Sequence, residues 1–318
     1  MSHPKRHHYL PGTYLKGFSA DGRGLWVYHI GSHKLVPQTI SDTCVQSYYN
    51  AFENEDGTKN FEIETKLSQV EGDAAAIIND IDDSKQITVE QKASLAYFVS
   101  LQRLRTPEFE GDVNRSAAHM MTRMIKMTLA NEKRAQAALD QFAESTGTQH
   151  GLTAKEMVDF GATGDFGLDV HRNLSLDMMV KMAPEFADYF NQLEWAFLRA
   201  PDGSAFITTD SPFMLLEPSD WRKNGRPLMP VGLLTKGGKK ILPLSAKTCL
   251  VMFDKGDKIT FRDATAEVVK GLNEQLAAFA FRFVIGSNEE HMRTLCAHVR
   301  DLLDAKKAKW GGSKMIIG

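Results

Sequence analysis

The feature that most limits what this chain can fold into is a change in the spacing of its apolar residues. From about Asn60 to about Asn191 they recur at helical intervals, while the segments on either side alternate or run on as strands do. Phe61, Leu67, Val70, Ala74, Ile77, Ile78 and Ile81 predict a helix from about Asn60 to Asp82. Thr88, with Gln91 three residues on, reads as a capping box for a second helix that carries Leu95, Ala96, Phe98, Val99, Leu101 and Leu104. Pro107 marks its end or a kink, because proline disfavours helical geometry in the residue before it. A third helix is expected from about Glu110 to Ser145. A fourth is expected from about Leu176 to Asn191, with Pro184 as a point of splitting or kinking. Met120, Met121, Met124, Ile125 and Met127 sit at helical spacing and are expected in the core, although thioethers also suit an adaptable binding surface.

The ends of the chain read differently. Gly24–Ile30 and His33–Pro37 predict two strands about a tight turn. Past the helical middle, strands are expected at 193–199, 205–209, 239–243, 248–253, 258–262 and 281–285. Closing helices are expected at 264–279 and 289–309. The Gly- and Thr-rich stretch from Thr146 to Asp169 holds one short helix at most, from Lys155 to Phe160, and is the candidate sub-domain boundary within a single unit of 318 residues. The expected fold class is therefore α+β: a helical central region flanked by β-rich N- and C-terminal segments that can share one mixed or antiparallel sheet.

Charge and cysteine content narrow the function classes. Thirty-eight basic and 40 acidic residues give a formal net charge of −2, which argues against nucleic-acid binding by bulk charge but leaves room for a local basic patch. There is no apolar run of the length a membrane span needs, and the basic start has no apolar segment behind it, so neither a membrane span nor a signal peptide is expected. Cys44, Cys249 and Cys296 are few, odd in number and far apart; they suit a reducing compartment and a cytoplasmic address, and are expected to be packed and inert. The common phosphate-loop, dinucleotide, His-Glu-x-x-His and Gly-x-Ser-x-Gly signatures are missing.

Four polar patterns remain. Adjacent His7 and His8 on an extended segment point to opposite faces, so one of them could serve a given site as an acid–base group or ligand. Glu64 and Glu71 lie two helical turns, roughly 10 Å, apart on one face. Gln102 and Arg105 share a helix face three residues apart, and a guanidinium recognises phosphate or carboxylate with two parallel bonds. Arg105 could equally pair with Glu64, Glu71 or Asp210 and pin helices together. Asp210 ends an apolar strand before Ser211-Pro212, where it could act as ligand or base, or simply close a turn.

These residues carry a resemblance. His7-His8-Tyr9-x-Pro11-x-x-Tyr14-Leu15-x-x-Phe18, Ile63-Glu64-x-x-Leu67-x-x-x-Glu71, Gln102-x-x-Arg105-Thr106-Pro107, Phe206-Ile207-Thr208-Thr209-Asp210-Ser211-Pro212 and Leu242-Pro243-Leu244-Ser245 resemble a bacterial family catalogued as domain of unknown function 4238. The resemblance runs from His7 to about Ile285. Thr209 stands where that family typically has Ser, keeping a hydroxyl. The resemblance implies no established activity; it implies one unit whose scattered polar motifs converge on a cleft.

The leading expectation is a metal-assisted phosphodiesterase or nuclease-like hydrolase. Glu64, Glu71 and Asp210 would hold a divalent cation, Mg²⁺ or Mn²⁺. His7 or His8 would act as general base or extra ligand, and Gln102 with Arg105 would orient the phosphate of a small molecule or nucleic acid. The alternatives are a non-catalytic interaction or regulatory protein and a nucleotide-using group-transfer enzyme.

Overall fold

Strands come from both ends of the chain and helices from its middle, as the change of period requires. The computed structural model describes residues 5–84, 86–148, 151–163, 166–218 and 232–304. They fall into two compact units, Met1–Glu108 with Met178–Gly318, and Phe109–Asp177.

The first unit opens with β1 (Arg6–His8) and the short helix α1 (Gly12–Lys16), then the hairpin of β2 (Gly24–His29) and β3 (Lys34–Thr39). Three short strands follow, β4 (Val45–Ser47), β5 (Phe52–Glu53) and β6 (Lys59–Asn60). Helices α2 (Glu62–Ser84) and α3 (Val89–Leu104) come next. Thr88 caps α3 as its sequence predicts: its hydroxyl accepts from the Gln91 amide at 3.2 Å and Gln91 Oε1 accepts from the Thr88 amide at 2.9 Å. Pro107 does not kink that helix but opens the next one, α4 (Pro107–Thr128), at the first-turn position where a missing N–H costs nothing.

In the second unit the single long helix expected from Glu110 to Ser145 is two. Chain direction breaks after α4, and Asn131 caps α5 (Glu132–Thr146) by accepting from the Arg134 amide at 3.0 Å. Helix α6 (Ala154–Thr163) follows. The methionine expectation also fails: Met120, Met121, Met124 and Met127 are 47–63% exposed. Helical spacing alone cannot tell which face a fold covers.

Helix α7 (Asn173–Asn191) runs through Pro184 unbroken and leads back into the first unit. The later strands are β7 (Leu193–Arg199), β8 (Thr208–Thr209), β9 (Met214–Leu216), β10 (Lys239–Pro243), β11 (Thr248–Lys255) and β12 (Ile259–Asp263). Helix α8 (Ala266–Phe279), strand β13 (Phe283–Gly286) and helix α9 (Glu289–His298) close the described fold. A further helical turn covers 300–304, and the expected continuation to Lys309 lies outside the described residues.

Two sheets carry the architecture. One is antiparallel with order β3-β2-β13-β8, so N-terminal and C-terminal strands do share a sheet. The other, β12-β7-β11-β10-β9, is antiparallel except for the parallel β12–β7 pair. Successive residues of β11 serve different cores: Leu250 and Met252 pack with Phe98, Trp195 and Phe197, whereas Cys249 and Val251 pack with Phe206, Leu276 and Met292. Both faces of this strand are covered, which is why it reads as a continuous apolar run instead of alternating. Each such side chain contributes roughly 1.5–3 kcal/mol on burial.

The strand expected at 205–209 shrinks to Thr208–Thr209 because Asn273 of α8 takes its ladder positions. Asn273 Oδ1 accepts from the Ile207 amide at 3.1 Å and its Nδ2 donates to the Ala205 carbonyl at 2.9 Å. Among the described residues no helix is long and apolar enough to cross a membrane.

Candidate active site

The opening segment is the hub that the scattered motifs meet. Strand β1 pairs with β4, His7 opposite Gln46, and its alternation sends the two imidazoles apart. His7 turns inward to zero exposure between the rings of Tyr48 and Phe61. The Asn50 amide donates to His7 Nδ1 at 3.1 Å, so in the neutral ring that nitrogen carries the lone pair. His8 turns the other way and donates from Nε2 to the Ile40 carbonyl at 3.1 Å.

Helix α2 brings Glu64 to this point. Its Oε2 accepts from Asn50 Nδ2 at 2.6 Å and lies 3.6 Å from His7 Nδ1, with a quarter of the side chain exposed. Asn50 Nδ2 also donates to the His8 carbonyl at 3.1 Å. The same carbonyl receives Arg105 Nη2, at the end of α3, at 2.6 Å. Arg105 Nη1 in turn donates to Glu71 Oε1 at 2.5 Å. His7, Glu64, Glu71 and Arg105 thus form one connected network through Asn50 and the His8 carbonyl, with Gln102 one turn before Arg105.

Within this network the hydrogen bonding is incomplete. Asn50, Gln102 and Arg105 are all buried. Asn50 Oδ1, both amide atoms of Gln102, and Arg105 Nε meet no partner; they are four of the six buried side-chain polar atoms in that condition among the described residues.

Asp210 does something else. It is fully buried at the end of β8, and its carboxylate accepts from the backbone amides of Phe281, Arg282 and Phe283 at 2.9–3.1 Å, with Arg282 Nε 3.5 Å away. Burial pushes its carboxyl above the usual range, while those amides and the guanidinium pull it back. Arg282 reaches the opening segment by donating to the Tyr9 hydroxyl at 3.2 Å and lying over its ring. With its lone pairs spent on backbone, Asp210 locks the 281–283 segment onto β8 and is not placed to act as ligand or base.

The expected shared cation site of Glu64, Glu71 and Asp210 is therefore not formed. Among the described residues no group of three His, Cys, Asp or Glu side chains stands close enough to hold one metal ion. The reason is local: Glu64 is engaged by Asn50, Glu71 by Arg105, and Asp210 by backbone amides.

The remaining motifs are explained by packing. The Tyr14 hydroxyl bonds Thr208 Oγ1 and the Pro243 carbonyl, both at 2.8 Å, tying the opening segment to two later motifs. Ser245 Oγ accepts from the Lys247 and Thr248 amides and donates to Asp82 at 2.8 Å, which fastens the β10–β11 turn to the end of α2. All three cysteines are buried, and burial pushes their thiols up, Cys296 to about 12. Sequence reasoning missed Asn50 and Arg282. Asn50 has no spacing signal at all; Arg282 had one, a lone cation between two aromatic residues at a strand start.

An α+β fold in which a short N-terminal strand is gripped by two helices around a half-satisfied polar junction defines the class. By sequence the chain belongs to the family described as protein of unknown function DUF4238, whose model matches residues 6–290. No curated protein and no solved structure matches it.

Proposed function

We propose that the chain is a hydrolase of phosphate esters working by acid–base chemistry at the junction of β1, α2 and α3. The observation that carries the reading is the concentration of unpartnered buried polar atoms on Asn50, Gln102 and Arg105 beside the His7–Glu64 contact. A buried polar group without a partner costs about 1–3 kcal/mol, so several kept together mark a place that a ligand completes. Two of these atoms, Arg105 Nε and Gln102 Nε2, are donors suited to phosphate oxygens. Asn50 Oδ1 and Gln102 Oε1 are acceptors suited to a hydroxyl or to water.

Glu64 is the more exposed of the two carboxylates, 25% against 17%, and the one not held by the Arg105 guanidinium, and it takes the proton of the attacking water. Asn50 fixes its orientation, and His7 fills the space behind it. Glu71 holds Arg105 in place, so the guanidinium meets its ligand already positioned. The substrate class is a phosphate-containing small molecule or a nucleic acid. A second reading, a brace within a non-catalytic interaction protein, draws on the His8 carbonyl, which Asn50 and Arg105 grip together.

Turnover of bis(4-nitrophenyl) phosphate, nucleotides and oligonucleotides, each with Mg²⁺, Mn²⁺ or chelator, separates the two. The hydrolase reading expects turnover that falls about 10²–10⁴-fold in Glu64→Gln at unchanged thermal stability. Absence of turnover under every condition, or equal rates in the variant, leaves the brace.

A further inference from the structure

Helix α4 places two unlike rows side by side on its exposed surface. Arg115, His119, Arg123 and Lys126 are exposed and recur every three or four residues, so they line one side of the helix in steps of about 5–6 Å, the first of them paired with Asp112 at 2.5 Å. Beside them run Met120, Met124 and Met127, again three and four residues apart and 61–63% exposed. This methionine row continues the helix face on which Phe109 and Val113 are buried, but past Val113 the second unit leaves it uncovered. No acidic residue lies between Asp112 and Glu132. Arg134 extends the basic row by donating to the Met127 carbonyl at 3.1 Å, at the end of the helix. Helix α4 as a whole is balanced, with Glu108, Glu110 and Asp112 near its start against Arg115, Arg123 and Lys126, but its later part, from Asn114 on, carries only basic charges, next to soft apolar side chains.

We propose that this surface binds single-stranded nucleic acid, with the basic row following the phosphates and the methionine row receiving the bases. The inference rests on the phosphate-ester reading and names its substrate class. Arg115, Arg123 and Lys126, with the ring of His119 between them as a hydrogen-bonding group, form a file that matches the repeating phosphates of an extended strand, and binding of this kind is sequence-independent. Thioether sulfur packs favourably against the edges and faces of flat aromatic rings, as bases are, without demanding one geometry. A duplex stacks its bases inside and offers nothing to the methionines. An anionic lipid surface would be served better by tryptophan, phenylalanine or leucine on the apolar row, and between residues 116 and 128 that row has none.

The test is fluorescence anisotropy of a labelled oligothymidylate with the full-length protein, over a salt series. Binding is expected with a slope of about −2 in log K against log salt, for roughly three neutralised phosphates. Arg123→Glu with Lys126→Glu should weaken it at least about tenfold and flatten the slope. Met120→Ser with Met124→Ser should weaken it several-fold with the slope unchanged, and an unlabelled duplex of equal length should compete poorly. Loss of binding in none of these variants, absence of binding at low salt, or preference for phosphatidylserine vesicles overturns the proposal. Hydrolysis of bis(4-nitrophenyl) phosphate is followed on the same variants and is expected to be unchanged. If Glu64→Gln abolishes that hydrolysis while the oligonucleotide never binds, the active-site reading stands and this one falls. The converse pattern separates them the other way.

Discussion

Replacing Gln102 by methionine should stabilise the protein and disable it at once. Gln102 has no exposed surface, and neither Oε1 nor Nε2 has a hydrogen-bond partner among the described residues. Methionine matches its length and volume closely, a kind of exchange that costs under about 1.5 kcal/mol in packing. Against that stand two buried polar groups relieved of about 1–3 kcal/mol each. The expected balance is a gain of about 1–3 kcal/mol in unfolding free energy. Urea titration followed through tryptophan fluorescence, to which Trp195, 1% exposed in the larger core, contributes with three other tryptophans, reads this as a higher midpoint at constant slope. The same variant should lose phosphate-ester turnover, because the donor and acceptor supplied to the ligand are gone. A loss of more than about 1 kcal/mol would refute the reasoning, since it would mean the carboxamide is already satisfied in the free protein. Higher stability with undiminished turnover would instead remove Gln102 from the site.

Three further outcomes follow from the same geometry. Asp210→Asn sets an amide N–H against the backbone donors of 281–283 and should cost about 3–5 kcal/mol in urea unfolding; a change under about 1 kcal/mol would return Asp210 to the pool of catalytic candidates. Arg105→Met strands the buried end of Glu71, takes from the His8 carbonyl one of its two donors and should cost a similar amount, and adding Glu71→Met should recover part of it, so a double-mutant cycle with no coupling would show that the ion pair is idle. Asp21 accepts from Ser19 Oγ and from the Arg23 and Gly24 amides, and the amides of Gly24 and Arg23, then the Ser19 hydroxyl, lower its pKa from 3.8 to about 2. A depressed carboxyl stabilises the fold fully above its unfolded value and loses that contribution as pH falls from about 4 through 2. An NMR titration that placed Asp21 at or above 3.8 would contradict this.

The period change in the sequence located nearly every long element, because burial on one face imposes 3.6 or 2 whatever the partner is. It also located strands β2, β3 and β13, each of which carries its own apolar pattern, but it left their joining in one sheet as an open possibility that the structure settles. Short strands escaped it: β1, β4, β5 and β6 span two or three residues, too few for a period to register. The break at Leu129–Asn131 escaped because strong helix formers flank it on both sides and a single Asn cap decides the matter. At the site, sequence spacing brought out the residue types that converge on the opening segment but not their pairings. Whether Arg105 chose Glu64, Glu71 or Asp210 depended on how α2 and α3 cross, which no local pattern encodes. Asp210 looked like a strand-end ligand because its true partners are backbone amides more than seventy positions away, and amides leave no trace in residue identity.

The pairing of β2 with β13 has a consequence for how the chain is made. His29 sits opposite Phe283, so β2 stays without that neighbour until synthesis has passed residue 283. At ordinary elongation rates the interval is about 10–50 s, long compared with the microseconds in which a hairpin forms. Throughout it, Leu25 and Val27, which end up fully buried, lie on a hairpin with one open edge. Nascent chains, or chains terminated before β13, should therefore be the aggregation-prone form of this protein and the one that calls on chaperones, while the folded molecule closes that edge with β13.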